Sequence, residues 1–223
     1  MRRLVPGPFR RAMRGAVVQV EDRRAGQAFA RARPDLSARV ASGIPDAQRA
    51  LSARHATYVA TVSTAVAAVS LETAALLQVL CEALEVDTAL DLGSGFSTWV
   101  LAGSTHVTSV DDSEQWRLAT ERFLGPVAAE VDLVRLDQVD RIGSSFDLVF
   151  HDLGSMVTRA TWLPWALDRA VKACVLDDVH KPPYRATVEQ ELAGRRGTLW
   201  KAGRPTRDGF GREAWVWFPE PST

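Results

Sequence analysis

This chain of 223 residues contains little cysteine and has a formal net charge of zero. The only two cysteines, Cys81 and Cys174, lie in apolar runs, which argues against a disulfide framework and against a thiolate zinc site. Lysine plus arginine number 27 and aspartate plus glutamate number 27, so bulk charge gives no indication of a nucleic-acid partner. The longest uncharged run, residues 56–71, is too short and too polar to span a bilayer. We therefore expect a cytoplasmic protein without a transmembrane segment.

Charge is unevenly distributed along the chain despite the zero total. Residues 1–40 contain ten arginines against Glu21, Asp22 and Asp35, so the remainder of the chain is acidic. No apolar core follows the first arginines, so a secretory signal is not expected. We interpret residues 1–69 as a basic, helical N-terminal extension and residues 70–223 as a separate domain. The segment Ser42-Gly43-Ile44-Pro45 predicts an interruption, with a mostly helical stretch from about Asp46 to Val69.

The most informative stretch is Asp91-Leu92-Gly93-Ser94-Gly95-Phe96-Ser97-Thr98. A short apolar run precedes it and a helix-compatible run follows, and its two glycines permit a tight turn. In an open α/β sheet, the turn after the first strand is where nucleotide-like ligands bind. A dinucleotide site would have a third glycine at the position of Thr98, and the carboxylate of Asp91 would be unfavourable beside a pyrophosphate.

A second acidic position supports a nucleoside-containing cofactor. The strand-like run 106–110 ends at Asp111-Asp112, about the distance after the first strand at which a carboxylate meets ribose hydroxyls. With an acidic residue ahead of G-x-G, the chain resembles class I S-adenosylmethionine (SAM) dependent methyltransferases, particularly small bacterial O-methyltransferases. The resemblance implies SAM as the cofactor, Asp111 or alternatively Asp112 at the ribose, and the tip of the third strand near the adenine. The cofactor-binding residues that it implies are Asp91, Gly93, Ser94, Gly95, Ser97, Asp111, Asp112, Asp137 and Gln138.

The pattern of apolar runs predicts an α/β fold. A helix from Leu71 to Leu84, with Ser70 as its N-cap, leads into the first strand. Further strand-like runs alternate with helical patterns, and the chain ends on a strand-like segment from Glu213 to Phe218. Together with the resemblance, which implies a terminal hairpin on a parallel sheet, this predicts a Rossmann-like doubly wound sheet of about seven strands, six of them parallel and the last antiparallel.

Acidic residues also follow the fourth and fifth predicted strands. Asp152 comes after the run 146–150, and the pair Asp177-Asp178 comes after the run 173–176. These three resemble the metal triad of catechol-type O-methyltransferases, which would hold Mg²⁺ or another divalent ion. The chain departs from that pattern because Asp178 replaces an asparagine and no lysine follows Asp152. The alternative is that the carboxylates bind loop backbones and the cofactor without an ion.

Two histidines lie at the same predicted strand ends. A histidine with a near-neutral pKa is the usual base for removing a hydroxyl proton. We predict His180, His151 and Asp152 as the catalytic candidates, and we prefer His180 because His151 lies within the strand tip.

These observations indicate a SAM-dependent methyltransferase whose acceptor is a small molecule or a glycan, with oxygen favoured. The alternatives are N-methylation and a SAM-fold binding or regulatory protein without methyl transfer. We expect no nucleic-acid partner, and we expect the N-terminal helices to cover the pocket or to form a homodimer contact.

Overall fold

A computed structural model describes the backbone of residues 7–221 and the side chains from residue 20 onward. The helices are α1 (Gly7–Ala32), α2 (Pro34–Thr61), α3 (Leu71–Leu84), α4 (Phe96–Ala102), α5 (Glu114–Leu124), α6 (Met156–Arg169), α7 (Pro182–Ala193) and α8 (Gly203–Thr206). The strands are β1 (Thr88–Leu92), β2 (His106–Asp111), β3 (Val131–Arg135), β4 (Phe146–His151), β5 (Ala170–Leu176), β6 (Gly197–Lys201) and β7 (Trp215–Pro219). Short 3-10 helices, Gly125–Glu130 and Leu136–Arg141, flank β3. Among the helices in this part of the chain, none is both long and apolar enough to cross a membrane.

The seven strands form one sheet in the order β3-β2-β1-β4-β5-β7-β6. The pairs β3/β2, β2/β1, β1/β4 and β4/β5 are parallel, whereas β7 runs antiparallel to both β5 and β6. The predicted sheet of seven strands with an antiparallel last strand is therefore confirmed. Strand order reverses between β1 and β4, and this switch point is where open α/β sheets bind their ligands.

Helices cover both faces of the sheet. On one face, Ala89, Leu148 and Val216 pack in a core that includes α3 and α4. On the other face, Leu90 and Val149 pack against α6 and α7. Successive strand residues point to opposite faces, so a strand covered on both sides is apolar throughout. Asp91 is a polar exception at full burial, which places it at the site described below.

Helix α3 confirms the predicted local signals. It begins after Ser70, whose Oγ accepts a hydrogen bond from the backbone N–H of Thr73 at 3.0 Å. Its buried residues include Leu76, Leu77 and Leu80. A hydroxyl at the N-cap satisfies a backbone donor that has no partner within the helix.

Helix α2 differs from the sequence-based prediction, which was wrong in interrupting it at Pro45. The helix runs through Gly43 and Pro45, with Val40, Ala47 and other residues buried along one face. A Cβ on Gly43 would lie 3.0 Å from Cγ2 of Val79, so this glycine permits close approach of α2 to α3. Packing along the whole face therefore outweighs the cost of a proline inside the helix.

The N-terminal helices contribute to the same core as the sheet. The ring of Phe29 in α1 stacks on Trp200 with centroids 4.1 Å apart and on Phe218 at 5.7 Å. Tyr58 near the end of α2 is 2% exposed. Five of the ten arginines in the first 40 residues of the predicted basic extension lie within residues 1–19, whose side chains are outside the described residues.

Helix α2 ends at Thr61, so the prediction of helix as far as Val69 was wrong. The segment 62–70 is irregular and crosses the carboxyl edge of the sheet. The guanidinium of Arg212 binds three of its carbonyl oxygens, those of Ala65, Val66 and Ala68, at 2.8–2.9 Å. These long-range bonds to the backbone replace the hydrogen bonds that a helix would make.

Candidate functional site

A cavity of about 270 Å³ lies at the carboxyl edge of the sheet, across the switch point between β1 and β4. Its walls come from the loop after β1, from acidic residues after β2, β4 and β5, and from the irregular segment 62–70. The lining residues include Gly93, Ser94, Gly95, Ser97, Asp111, Asp112, Asp152, Arg159, Asp177, Asp178 and Arg212. A second cavity of about 510 Å³ also has Asp111 and Asp112 in its wall and extends to Asp137 and Trp162. The two cavities meet at this acidic pair.

The loop after β1 packs directly against the neighbouring strand ends. Gly93 has φ +113°, and a Cβ there would lie 2.7 Å from the carbonyl oxygen of Asp152. Its N–H donates to the carbonyl oxygen of Val110 at 2.8 Å. Only glycine tolerates both this backbone conformation and this contact. The backbone conformation of the loop and its packing against β4 therefore require glycine at this position, whether or not a ligand is bound.

Asp91 stabilises this loop through hydrogen bonds to its carboxylate. Its carboxylate is fully buried and accepts hydrogen bonds from the hydroxyls of Ser97 and Thr98, the latter at 2.5 Å. The Thr98 hydroxyl also accepts from the N–H of Gly95 at 2.9 Å, so the residue at the third glycine position organises the turn. Burial raises the pKa of Asp91 to about 7, against the lowering effect of these hydroxyls. Asp91 is absent from the cavity wall, although it was predicted to contact the cofactor.

The acidic pair after β2 lies where the two cavities meet. Asp111 accepts hydrogen bonds from the N–H groups of Ser94 at 2.8 Å and Ser113 at 2.7 Å. Burial raises its pKa to about 6, with these two bonds acting in the opposite direction. Asp112 is exposed, and its carboxylate lies beside Gly154, where an added Cβ would meet Oδ2 at 2.7 Å. The two residues are therefore adjacent on the wall, with Asp111 held by the loop and Asp112 free to turn towards a ligand.

The predicted adenine contacts after β3 are divided between two places. Asp137 lines the second cavity and forms an ion pair with Arg135 at 2.6 Å. Gln138 lines a different cavity, beside α5 and β3, together with residues such as Thr108 and Arg117. The structure therefore brings Asp137 towards the acidic pair and does not bring Gln138 there.

Two of the three carboxylates predicted as a metal triad form ion pairs with one guanidinium. Asp152 and Asp178 both form ion pairs with Arg159, which is 4% exposed, and the latter distance is 3.2 Å. Asp178 also accepts a hydrogen bond from Nζ of Lys181 at 2.7 Å. Residues 20–221 contain no group of His, Cys, Asp or Glu side chains arranged to hold a metal ion. The expected triad of Asp152, Asp177 and Asp178 does not fit a metal here, because Arg159 already pairs with two of its three carboxylates, those of Asp152 and Asp178.

Asp177 differs from its two acidic neighbours. It is 4% exposed and lines the cavity, and among the described residues no side chain donates a hydrogen bond to it or forms an ion pair with it. Burial, followed by repulsion from Asp152 and Asp178, raises the pKa of Asp177 to about 8. Burial also raises the pKa of Asp178, but the hydrogen bond from Lys181 and the charge of Arg159 outweigh it and leave that pKa below its usual value.

Neither predicted histidine base is part of the cavity wall. His151 is fully buried, and its Nδ1 lies 3.1 Å from the hydroxyl of Tyr184. Burial, together with the charge of Arg159, lowers the pKa of His151 to about 3, so it stays neutral and is a poor base. His180 lies beside the cavity, with Nδ1 3.5 Å from Oδ1 of Asp178, and burial lowers its pKa. The geometry therefore argues against His151 as a catalytic base, leaves Asp152 on the wall, and places His180 against a wall residue, Asp178.

Two arginines of the site were missed by reasoning from sequence. Arg159 precedes Leu163, Ala166 and Leu167 at helical spacing, so it belongs to the buried face of α6. That spacing could have marked it as a buried, paired cation. Arg212 lies in a polar loop, and nothing in the local sequence indicates its contacts with residues 65–68.

Comparison with known proteins relates this fold to methyltransferases. No protein-family model matches the sequence, and a search of curated proteins finds no match. Cofactor-bound Rv0187 from MTB is 21% identical with a TM-score of 0.58, over 78% of this chain and 91% of that protein. The O-methyltransferase from Bacillus cereus, solved in complex with SAH, is 18% identical with a TM-score of 0.57, over 79% and 89%. A methyltransferase from Geobacter sulfurreducens gives 14% and 0.54, over 76% and 89%. The chain thus has the Rossmann-like fold found in SAM-dependent methyltransferases.

Proposed function

We propose that this protein is a SAM-dependent methyltransferase that acts on an oxygen atom of a small molecule or a glycan. The observation that carries the proposal is the cavity across the β1/β4 switch point, with the glycine loop on one wall and carboxylates at both ends. The fold that it shares with an O-methyltransferase solved with SAH supports the same assignment.

The charge of the cavity suits a cationic cofactor. SAM carries an ammonium and a sulfonium, and the latter supplies a methyl group for transfer. The wall carries more carboxylates than guanidinium groups, and one of those carboxylates, of Asp111, accepts a hydrogen bond from Ser94 of the glycine loop. Carboxylates in a partly enclosed site attract cations more strongly than they do in water. We place the nucleoside across this acidic pair, with the second cavity and Asp137 receiving the base.

The acceptor would enter beside Asp152 and Asp177. The acceptor oxygen forms a bond to the methyl carbon, the carbon–sulfur bond breaks with its electron pair passing to sulfur, and the hydroxyl proton leaves. Of the carboxylates on this side of the wall, those of Asp152 and Asp178 form ion pairs with Arg159, and that of Asp177 forms none among the described residues. We therefore assign Asp177 as the proton acceptor in its ionised form. Most of the rate would come from holding donor and acceptor in line in a dry pocket.

Two alternatives remain distinguishable by experiment. Carboxylates on the acceptor side also suit a protonated amine, which would favour N-methylation. A SAM-binding protein without transfer would bind cofactor and show no methylated product with any acceptor. Mass spectrometry of products from oxygen and nitrogen acceptors separates these cases.

Calorimetric titration with SAM and with SAH tests the cofactor site. We expect micromolar binding by the wild-type protein and at least about tenfold weaker binding by Asp112→Asn, since a lost charge-assisted hydrogen bond costs about 1.5–3 kcal/mol. Asp87→Asn is the matched control, because Asp87 is exposed just before β1, at the opposite edge of the sheet. Absence of SAM and SAH binding by folded wild-type protein would refute the proposal.

A further inference from the structure

Arg159 is a cation in the first turn of a helix, where the helix dipole disfavours positive charge. It lies in the first turn of α6 and reaches the ends of both β4 and β5. Its Nη2 donates to the carbonyl oxygen of Asp152 at 2.9 Å, in addition to the ion pair with that residue's carboxylate. Its Nη1 lies 3.2 Å from Oδ2 of Asp178. One guanidinium therefore joins the two strand ends that carry the acidic residues.

Arg159 is almost fully buried, so its positive charge requires carboxylate partners close by. Arg159 is 4% exposed, and the carboxylates of Asp152, Asp177 and Asp178 all raise its pKa against the effect of burial. Removal of one partner from a buried ion pair leaves an uncompensated charge, which is strongly destabilising. The carboxylates and the arginine thus depend on each other within the folded protein.

A divalent ion would compete with this arrangement for the same oxygen atoms. Mg²⁺ requires carboxylate oxygens at about 2.0–2.1 Å in near-octahedral geometry, and it would also meet the positive charge of Arg159 in a poorly solvated site. The second cation at Asp178, Lys181, adds to that repulsion. A guanidinium and a divalent ion therefore exclude each other at this edge of the sheet.

A second observation indicates that the arginine takes part in a ligand site. Arg159 lines the cavity, and its Nε is buried and makes no hydrogen bond with any described residue. Buried donors without acceptors are uncommon in folded proteins. The same guanidinium has five N–H donors and lines the cavity, so its accessible edge can donate to an acceptor oxygen bound there.

We propose that Arg159 is the built-in cation of the acceptor pocket, so that the pocket receives an oxygen-containing acceptor without a divalent metal ion. This inference rests on the proposed function. Arg159 acts as a positioning residue: it fixes the side chains of Asp152 and Asp178 and leaves Asp177 to face the acceptor.

Metal binding followed by thermal unfolding tests the inference without a known acceptor. The wild-type protein, Arg159→Met and Arg159→Lys are titrated with MnCl₂ and unfolded with and without EDTA. We expect Mn²⁺ to leave the wild type and the lysine variant unchanged and to raise the melting temperature of Arg159→Met by several degrees, because that variant frees the carboxylates. Arg169→Met, at the far end of the same helix, is the control and should behave as the wild type.

Micromolar Mn²⁺ binding by the wild type would overturn the inference, as would equal responses of the wild type and a folded Arg159→Met. If Arg159→Met does not fold, the wild-type and Arg159→Lys titrations decide the question: Mn²⁺ binding by either overturns the inference, and its absence from both supports it. SAH calorimetry on the same preparations keeps the two proposals apart. Wild-type protein that binds neither SAH nor Mn²⁺ refutes the proposed function, and with it the acceptor role of the pocket, but leaves the exclusion of a metal ion by Arg159 supported.

Discussion

Replacement of Gly93 by alanine perturbs the turn after β1 at its most constrained point. The residue has φ +113°, where a side chain is strained, and the new Cβ would lie 2.7 Å from the carbonyl oxygen of Asp152. A backbone oxygen at the end of β4 cannot rotate away as a flexible side chain could. Either the loop or the strand end must therefore move.

The size of the effect follows from these two costs. A non-glycine residue in a sparsely populated backbone region costs about 1–3 kcal/mol, and the contact adds to it, so we expect about 3 kcal/mol of lost stability. For a chain of this size, each kcal/mol corresponds to about 2–4 °C in melting temperature. Gly93→Ala should therefore melt about 6–12 °C lower than the wild type and lose micromolar SAH binding.

Gly194 provides a matched control with the opposite expected sign. It has φ −95° and ψ −1° at the end of α7, and a Cβ there would meet nothing within 4 Å. Alanine at such a position stabilises a protein by about 0.4–1 kcal/mol through the unfolded state, or about 1–4 °C here. Thermal unfolding of both variants, with SAH calorimetry, measures the contrast. A Gly93→Ala protein that melts within 2 °C of the wild type and binds SAH normally would refute the reasoning.

Three further predictions concern the segment over the cavity, the buried acid and a helix cap. Arg212→Met should increase amide exchange in residues 62–70 by about tenfold, because charge-assisted hydrogen bonds to three carbonyl oxygens are lost. Arg204→Met, which changes an exposed side chain, is the control and should leave the exchange unchanged. Equal exchange in the two variants would contradict the role of Arg212. The raised pKa of Asp177, about 8, means that the folded protein holds a proton that the unfolded chain releases near pH 4, so wild-type stability falls as pH rises between these values. Asp177→Asn should then gain melting temperature relative to the wild type from pH 5 to pH 9, and a constant difference would argue against the shift. Ser70→Ala should lower the melting temperature by about 2–4 °C, since an N-cap contributes about 1 kcal/mol, and an unchanged value would mean that the cap is dispensable.

The sequence predicted those parts of the fold that depend on neighbouring residues. The N-cap at Ser70 and the end of β2 at Asp111 follow from patterns only a few residues long, and β1 ends at Leu92, one residue after the predicted Asp91. The parallel sheet then follows from the alternation of strands and helices. The same local reasoning failed at Pro45, because the stabilising contacts of α2 come from α3 and are distant along the chain.

The candidate site could be predicted only as a set of strand ends. The acidic residues after β2, β4 and β5 were found because parallel strands deliver their carboxyl ends to one edge. The position of His151 within a strand tip favoured His180 over it, and His151 does point into the core, but its partner Tyr184 was not available from sequence. The placement of Asp91 outside the cavity wall was not available either. Side-chain direction depends on what packs around a strand end.

The sequence by itself determined the order of elements, the glycine turn and the acidic character of the cavity, because each is set by local geometry or by residue type. Only the tertiary structure decided which cation meets the carboxylates. Arg159 is distant from Asp178 in sequence, and α6 must pack against β4 and β5 before its guanidinium reaches both strand ends. The role of a buried charge depends on the charged groups that folding brings close to it, and here those groups come from separate elements of the chain.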